Sequence, residues 1–381
     1  MTLDPFSHLE GARSPTGRSA PSPEGVRNLR RAILVLSVAT LVLPACRGET
    51  TEGASVASTT MGASPSSSPG TATPSPTQAV QTEFPIPPWP ELVAMYDYEA
   101  GAPLDYHVLG KQRESGATVS TIEYRSSGDA VPAYHVIPDG QGPFPAVLHA
   151  HGAGASPDWY LPDATLLARD GYASLLITSP ENRAPFLPIS LTYDLRADVK
   201  GMVRYVMDLR RGIDLLQTLP EIDAERIGFI GYGDGAWAGA ILSGIDARPD
   251  AYVLVSPGGW PCTDAAGSGT RCGVPDPSWF GGSGVPTGAA FERYVGGIMV
   301  IDSVPYLEHN ETAAFLFQGS KLSGGSTRSI PFQRVPFAAA PAPKTFRWYP
   351  GVQALTCYRA TCDPGNDEAY VFHRAWLERN V

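Results

Sequence analysis

From about Phe84 onward, short apolar runs alternate with longer stretches in which apolar residues recur every three or four positions. The first pattern predicts strands and the second helices. Val131–Pro138 (VPAYHVIP) and Pro145–Ala150 (PAVLHA) are expected strands, and Leu161–Arg169 an expected helix. Ala173–Thr178 (ASLLIT) is almost continuously apolar, as a strand covered on both faces must be. Asp194–Leu219 predicts a long helix, with Val199, Met202, Val203, Val206, Leu209, Ile213 and Leu216 on one face and Pro220 stopping it. A short buried strand over Arg226–Gly231 leads into a small-residue helix over Asp234–Ile245. Strands over Ala251–Val255, Ala313–Phe317 and Thr345–Trp348, then a helix over Tyr370–Asn380, close the series. No internal repeat interrupts it. Such alternation implies an α/β fold with a mostly parallel central sheet flanked by helices. The stretch 256–307 is too long for a plain connection and is rich in Gly, Pro and Trp. It follows the carboxyl end of a strand, over the crevice where such sheets bind ligands, and is expected to form a cap.

Upstream the pattern changes twice. Arg27-Asn28-Leu29-Arg30-Arg31 precedes an apolar run from Ala32 to Leu43, the arrangement of an export signal. The run is short of the roughly 20 residues that span a bilayer. It ends in Leu43-Pro44-Ala45-Cys46, which resembles the lipobox of bacterial lipoproteins, although proline is unusual at that place. The resemblance implies that Cys46 is acylated and that the domain sits lipid-anchored on the extracytoplasmic face of a bacterial envelope. The alternative is a secreted protein cleaved near Ala45. The residues before Arg27 are polar and long for a signal, so translation starting near Val26 also fits. From Arg47 to Glu83 the chain is nearly all Ser, Thr, Ala, Gly and Pro and cannot bury enough apolar surface to order itself, as a flexible tether requires. The expected organisation is therefore 1–46 signal, 47–83 tether, and 84–381 folded domain.

Composition alters this picture little. The 43% hydrophobic content is ordinary for a globular domain, and a net charge of -10 gives no basic surface for nucleic acid. Setting Cys46 aside leaves Cys262, Cys272, Cys357 and Cys362, an even number in two close pairs. In an oxidising compartment the expected disulfides are Cys262–Cys272 and Cys357–Cys362. Their spacings are not those of a zinc site, and no metal or cofactor is expected.

Three local patterns carry the chemistry. His151-Gly152-Ala153-Gly154 follows a strand, Gly231-Tyr232-Gly233-Asp234-Gly235 joins a strand to a helix, and Arg347-Trp348-Tyr349-Pro350-Gly351 precedes the terminal helix. In this order they resemble the oxyanion turn, the nucleophile elbow and the histidine loop of the α/β-hydrolase superfamily. The likeness is to its dienelactone-hydrolase, acetyl-esterase and acyl-peptidase branch. It runs from Val131 to the end and is densest over Asp208–Gly239. It implies that the Ala153 and Asp234 N–H groups would be the oxyanion donors and that Gly231 and Gly235 would be the small elbow residues. It also places Gly233 at the nucleophile position, Leu322 at the acid and Gln353 at the base. None of these three can perform its role, and neither window offers Asp, Glu or His instead. Asp234 as nucleophile would put Tyr232 where a small residue is required. The expectation is a non-catalytic homologue that binds a small molecule, glycan or protein in the capped crevice. The alternative is an active ester or peptide hydrolase with another nucleophile, such as a serine of the cap or Ser320. His149 and His151 share one side of a strand without a third ligand, and His373 is expected on the surface of the last helix or capping it.

Overall fold

A computed structural model describes residues 86–114, 116–257, 286, 288–320, 330–349 and 368–381. The described chain forms a nine-stranded mixed sheet in the order β1-β2-β3-β5-β4-β6-β7-β8-β9. A short helix α1 (Trp89–Ala94) precedes the meander β1 (His107–Glu114), β2 (Ala117–Ser126) and β3 (Asp129–Pro138), paired antiparallel. β3 runs antiparallel to β5 (Ala173–Ile177). From β5 the sheet is parallel through β4 (Phe144–Ala150), β6 (Ile222–Tyr232), β7 (Ala251–Val255), β8 (Ala314–Ser320) and β9 (Lys344–Tyr349). The expected α/β class and mostly parallel sheet are therefore present.

The predicted elements fall close to their expected places. Helix α2 (Leu161–Arg169), helix α4 (Asp234–Ile245) and strand β7 match residue for residue. Helix α3 (Leu195–Thr218) starts where the Asp194 carboxylate accepts the Ala197 N–H at 3.1 Å, satisfying a donor that no helical turn serves. All seven residues of its predicted apolar stripe are buried. Alternate strand residues face two separate cores, as a period of two requires. Leu148, Phe229 and Leu254 point toward α3, α4, α5 (Ala289–Ile298) and α6 (Ser303–Glu308), whereas Val147, Ile230 and Val253 point toward α2 and α8 (Glu368–Asn380).

Three features depart from expectation. β1 and β2 form strands that the apolar pattern hid. β1 is exposed along its whole length, and Thr and Ser dilute the alternation of β2. Part of the expected cap is body. Within 256–307, α5 and α6 bury Tyr294, Val295, Ile298, Tyr306 and Leu307 in the main core, because the β7-to-β8 crossover needs helices to cover the sheet. Residues 258–285 lie outside the described residues. Finally, α7 (Ile330–Ala339) forms before β9 with Pro336 inside it, where no helix was expected. Among the described residues, no helix is long and apolar enough to cross a membrane.

Candidate functional site

The expected crevice lies at the carboxyl ends of the parallel strands, which places the β6–α4 junction at its floor. Tyr232 ends β6, Asp234 opens α4, and Gly233 between them has φ 54° and ψ -115°. Its N–H donates to Val255 O at 2.9 Å, and its carbonyl accepts the Trp237 N–H at 3.0 Å, so the turn is tied to both β7 and α4. The glycines here serve different ends. A Cβ at Gly231 would stand 2.6 Å from Gly235 O, one at Gly235 would overlap Ala150 O, and one at Gly152 would stand 2.8 Å from Tyr232 O. These three permit the close approach of β4, β6 and α4. At Gly233 the nearest atom to an added Cβ is Gly152 Cα at 3.9 Å, so a side chain has room and only the positive φ opposes it.

The turn after β4 meets this junction. Ala153 N–H donates to Asp234 Oδ2 at 3.1 Å, and Gly154 N–H to Glu181 Oε1 at 2.8 Å. Burial pushes the Asp234 carboxyl up to about 6, partly offset by the Ala153 N–H and its own N–H, with Glu181 adding to the rise. His151 is buried and both ring nitrogens are engaged. Nε2 accepts the Ser179 N–H at 3.0 Å, which leaves Nδ1 as donor to Gly152 O at 2.9 Å. Its pKa is lowered, chiefly by burial. His151 thus ties the turn to the segment after β5 and has no free nitrogen to act as a base.

Of the residues singled out in the sequence, Gly231, Gly233, Gly235, Ala153 and Asp234 converge on this junction. Leu322, Gln353, Cys46, Cys262, Cys272, Cys357 and Cys362 lie outside the described residues. The strands that precede Leu322 and Gln353, β8 and β9, are neighbours beyond β7 and end on the same edge as β6. Sequence reasoning offered a serine of the expected cap, 256–307, without singling out Ser256. It follows β7, whose Val255 pairs with Tyr232, and so stands one strand from Gly233. It has φ 48° and donates its N–H to Gln318 O at 2.7 Å. Nothing in its local sequence distinguishes it.

Behind the elbow, on the opposite face of the sheet, lies a polar cluster that the sequence reading misplaced. His373 is neither at the surface nor a cap: it is fully buried, with Nε2 3.4 Å from Asp163 Oδ1. Tyr232 OH donates to Asp163 Oδ2 at 3.0 Å, and His149 Nε2 lies 3.3 Å from Ser174 Oγ. Burial pushes Asp163 up, but His373 and Tyr232 hold it below the usual carboxylate range overall. The signal was available, since Tyr370, His373, Trp376 and Leu377 recur at helical spacing and all four are buried. Among the described residues no group of three or more His, Cys, Asp or Glu has a metal-holding arrangement.

No family model matches the sequence. Its fold, however, has solved counterparts. An acetyl xylan esterase from Paenibacillus sp. R4 superposes with a TM-score of 0.57 at 18% identity, over 77% of this chain and 93% of that one. Acetyl xylan esterase 1 from Thermoanaerobacterium sp. JW/SL YS485 gives 0.57 at 14% identity, over 78% and 96%. At such identities the likeness is one of fold, and that fold is the α/β-hydrolase fold.

Proposed function

We propose that this chain is a non-catalytic binding protein on an α/β-hydrolase scaffold, held by lipid at the outer face of a bacterial membrane. The observation that carries the reading is Gly233. The backbone there keeps the positive-φ turn and the tight glycines of a nucleophile elbow, yet the residue at its apex has no atom that can attack a carbonyl. Loss of a nucleophile alone removes about 10⁶ in kcat for an enzyme of this kind of chemistry. The buried, fully bonded His151 supplies no base in its place. The ligand is a small molecule, glycan or protein segment that fits the crevice.

A second reading, an active hydrolase, has one observation in its favour. Ser256 is a non-glycine residue held at positive φ on the crevice edge, and such strain gathers at functional sites. One assay separates the two. Unmodified protein is incubated with a fluorophosphonate probe and with short acyl esters. The binding reading expects no labelled serine and turnover at the buffer rate. A label mapped to one serine, with Ser256 the first to inspect, would overturn it. Anchoring has its own test: Cys46→Ser should abolish partitioning into the detergent phase, and unchanged partitioning would remove the lipid from the proposal.

A further inference from the structure

Resting on the reading of the crevice as a binding site, we propose that Asp234 is its resident anion. Its carboxylate occupies the Ala153 N–H, a backbone donor that would otherwise polarise an acyl carbonyl, and so turns the elbow away from esters by a means separate from the missing nucleophile.

An oxyanion pocket works because two N–H groups are aimed at one spot, roughly 2.7–3.1 Å from an oxygen that gains charge during reaction. Here the turn after β4 and the start of α4 bring the Ala153 and Asp234 N–H groups to one place. The oxygen that stands 3.1 Å from Ala153 N belongs to Asp234 itself. The same carboxylate stands at the first residue of α4, where the backbone dipoles favour negative charge. The Ala153 donor is therefore already engaged, by a side chain of the residue that carries the other donor.

An ester carbonyl would have to displace this carboxylate. Bonds to an ionised acceptor are about twice as strong as those to a neutral one, so the exchange runs uphill. The next N–H of the same turn is engaged in the same way, Gly154 donating to Glu181 Oε1 at 2.8 Å. Two successive amides of one turn thus serve two carboxylates. Where a catalytic crevice would present positive potential, the described residues of this turn present negative charge. The groups around Asp234 do not reverse the sign. Tyr205 of α3 spends its hydroxyl on His151 O, and neutral His151 bonds Ser179 and Gly152.

A consequence is that rebuilding the triad is insufficient. A serine at 233 would find space for its Cβ, but its tetrahedral adduct would meet a carboxylate where the Ala153 donor should be free.

The test uses acetate as probe and the full chain labelled with 15N-alanine, followed by amide NMR. Wild type, Asp234→Ala and Asp234→Asn are titrated with sodium acetate at pH 7.5, where Asp234 is ionised. The Ala153 amide should shift saturably in Asp234→Ala, with an apparent affinity roughly ten-fold or more above wild type. Asp234→Asn fills the space without the charge and should fall between them. It also guards against an alanine variant that fails to fold. Wild type responding to acetate as strongly as Asp234→Ala would overturn the proposal, and so would an Ala153 amide unmoved in every variant. The outcome is independent of turnover. Ester hydrolysis by wild type with this acetate pattern intact would sink the binding reading and leave Asp234 as the occupant of this donor.

Discussion

The glycines of the β6–α4 junction separate two reasons for lacking a side chain. Gly231 and Gly235 lack one because backbone from the opposing element fills the space, whereas Gly233 lacks one only because of its φ. Gly233→Ala should therefore fold and lose about 1–3 kcal/mol, the usual cost of a non-glycine residue in a sparsely populated backbone region. Gly235→Ala must push Ala150 carbonyl backbone aside and should not give soluble folded protein. Urea unfolding of both variants checks the contrast, and equal losses would mean that Gly233 is also a packing glycine. The spacing of these glycines was legible because close approach of strand and helix leaves a fixed sequence trace. The resemblance also paired the Ala153 and Asp234 N–H groups across 81 positions, but nothing in the sequence aims the Asp234 carboxylate at the Ala153 N–H, because that depends on how the two turns pack.

Between elements, one buried polar tie outside the crevice joins α8 to α2, where His373 Nε2 lies 3.4 Å from Asp163 Oδ1. Removing one member leaves buried polar atoms of the other without a partner, at a cost of about 1–3 kcal/mol. Asp163→Ala also strips Tyr232 OH of its acceptor. The expected result is a destabilised protein whose faster amide hydrogen exchange is concentrated in Glu368–Asn380. Uniform acceleration across the sheet would show that the pair does not fasten α8 in particular. A comparable tie joins the segment after β5 to α3, where buried Asp208 bonds both Arg183 and Arg204. Elements with one clear apolar stripe, such as α3, were readable in full. β1 and β2 were not, because a strand with no buried face of its own, or one rich in Thr and Ser, leaves little periodic signal. The crossover helices α5 and α6 were hidden inside a Gly- and Pro-rich stretch whose overall composition suggested a cap.

For the molecule as a whole, buried titratable groups set an acid response of mixed sign. Burial holds both His135 and His149 down at about 4, with Lys111 pushing His135 the same way. Each is neutral in the folded state, and the unfolded chain takes up the proton first. Stability from these two is full above about 6.5 and is lost as pH falls toward 4, on the order of 3 kcal/mol each. Asp234 and Asp302 act oppositely. Burial raises them to about 6 and about 7, so the folded state protonates first and is favoured as pH falls through that range. Because these slopes partly cancel, differences between variants are the informative quantity. His149→Leu should flatten the fall in urea midpoint between pH 6.5 and 4, and Asp302→Asn should steepen it. Parallel profiles for wild type and both variants would refute these assignments. One last consequence concerns the sheet's edge. β1 pairs with β2 on one side and carries exposed Val108 and Leu109, and its register shifts between Val108 and Gly110. A row of main-chain groups at such an edge is a template on which another copy can add a strand. The register break and the exposed charges of Lys111, Arg113 and Glu114 oppose that growth. Charge added at β1, more than 100 residues before the crevice floor in sequence, should therefore oppose strand addition at that edge without touching the ligand site.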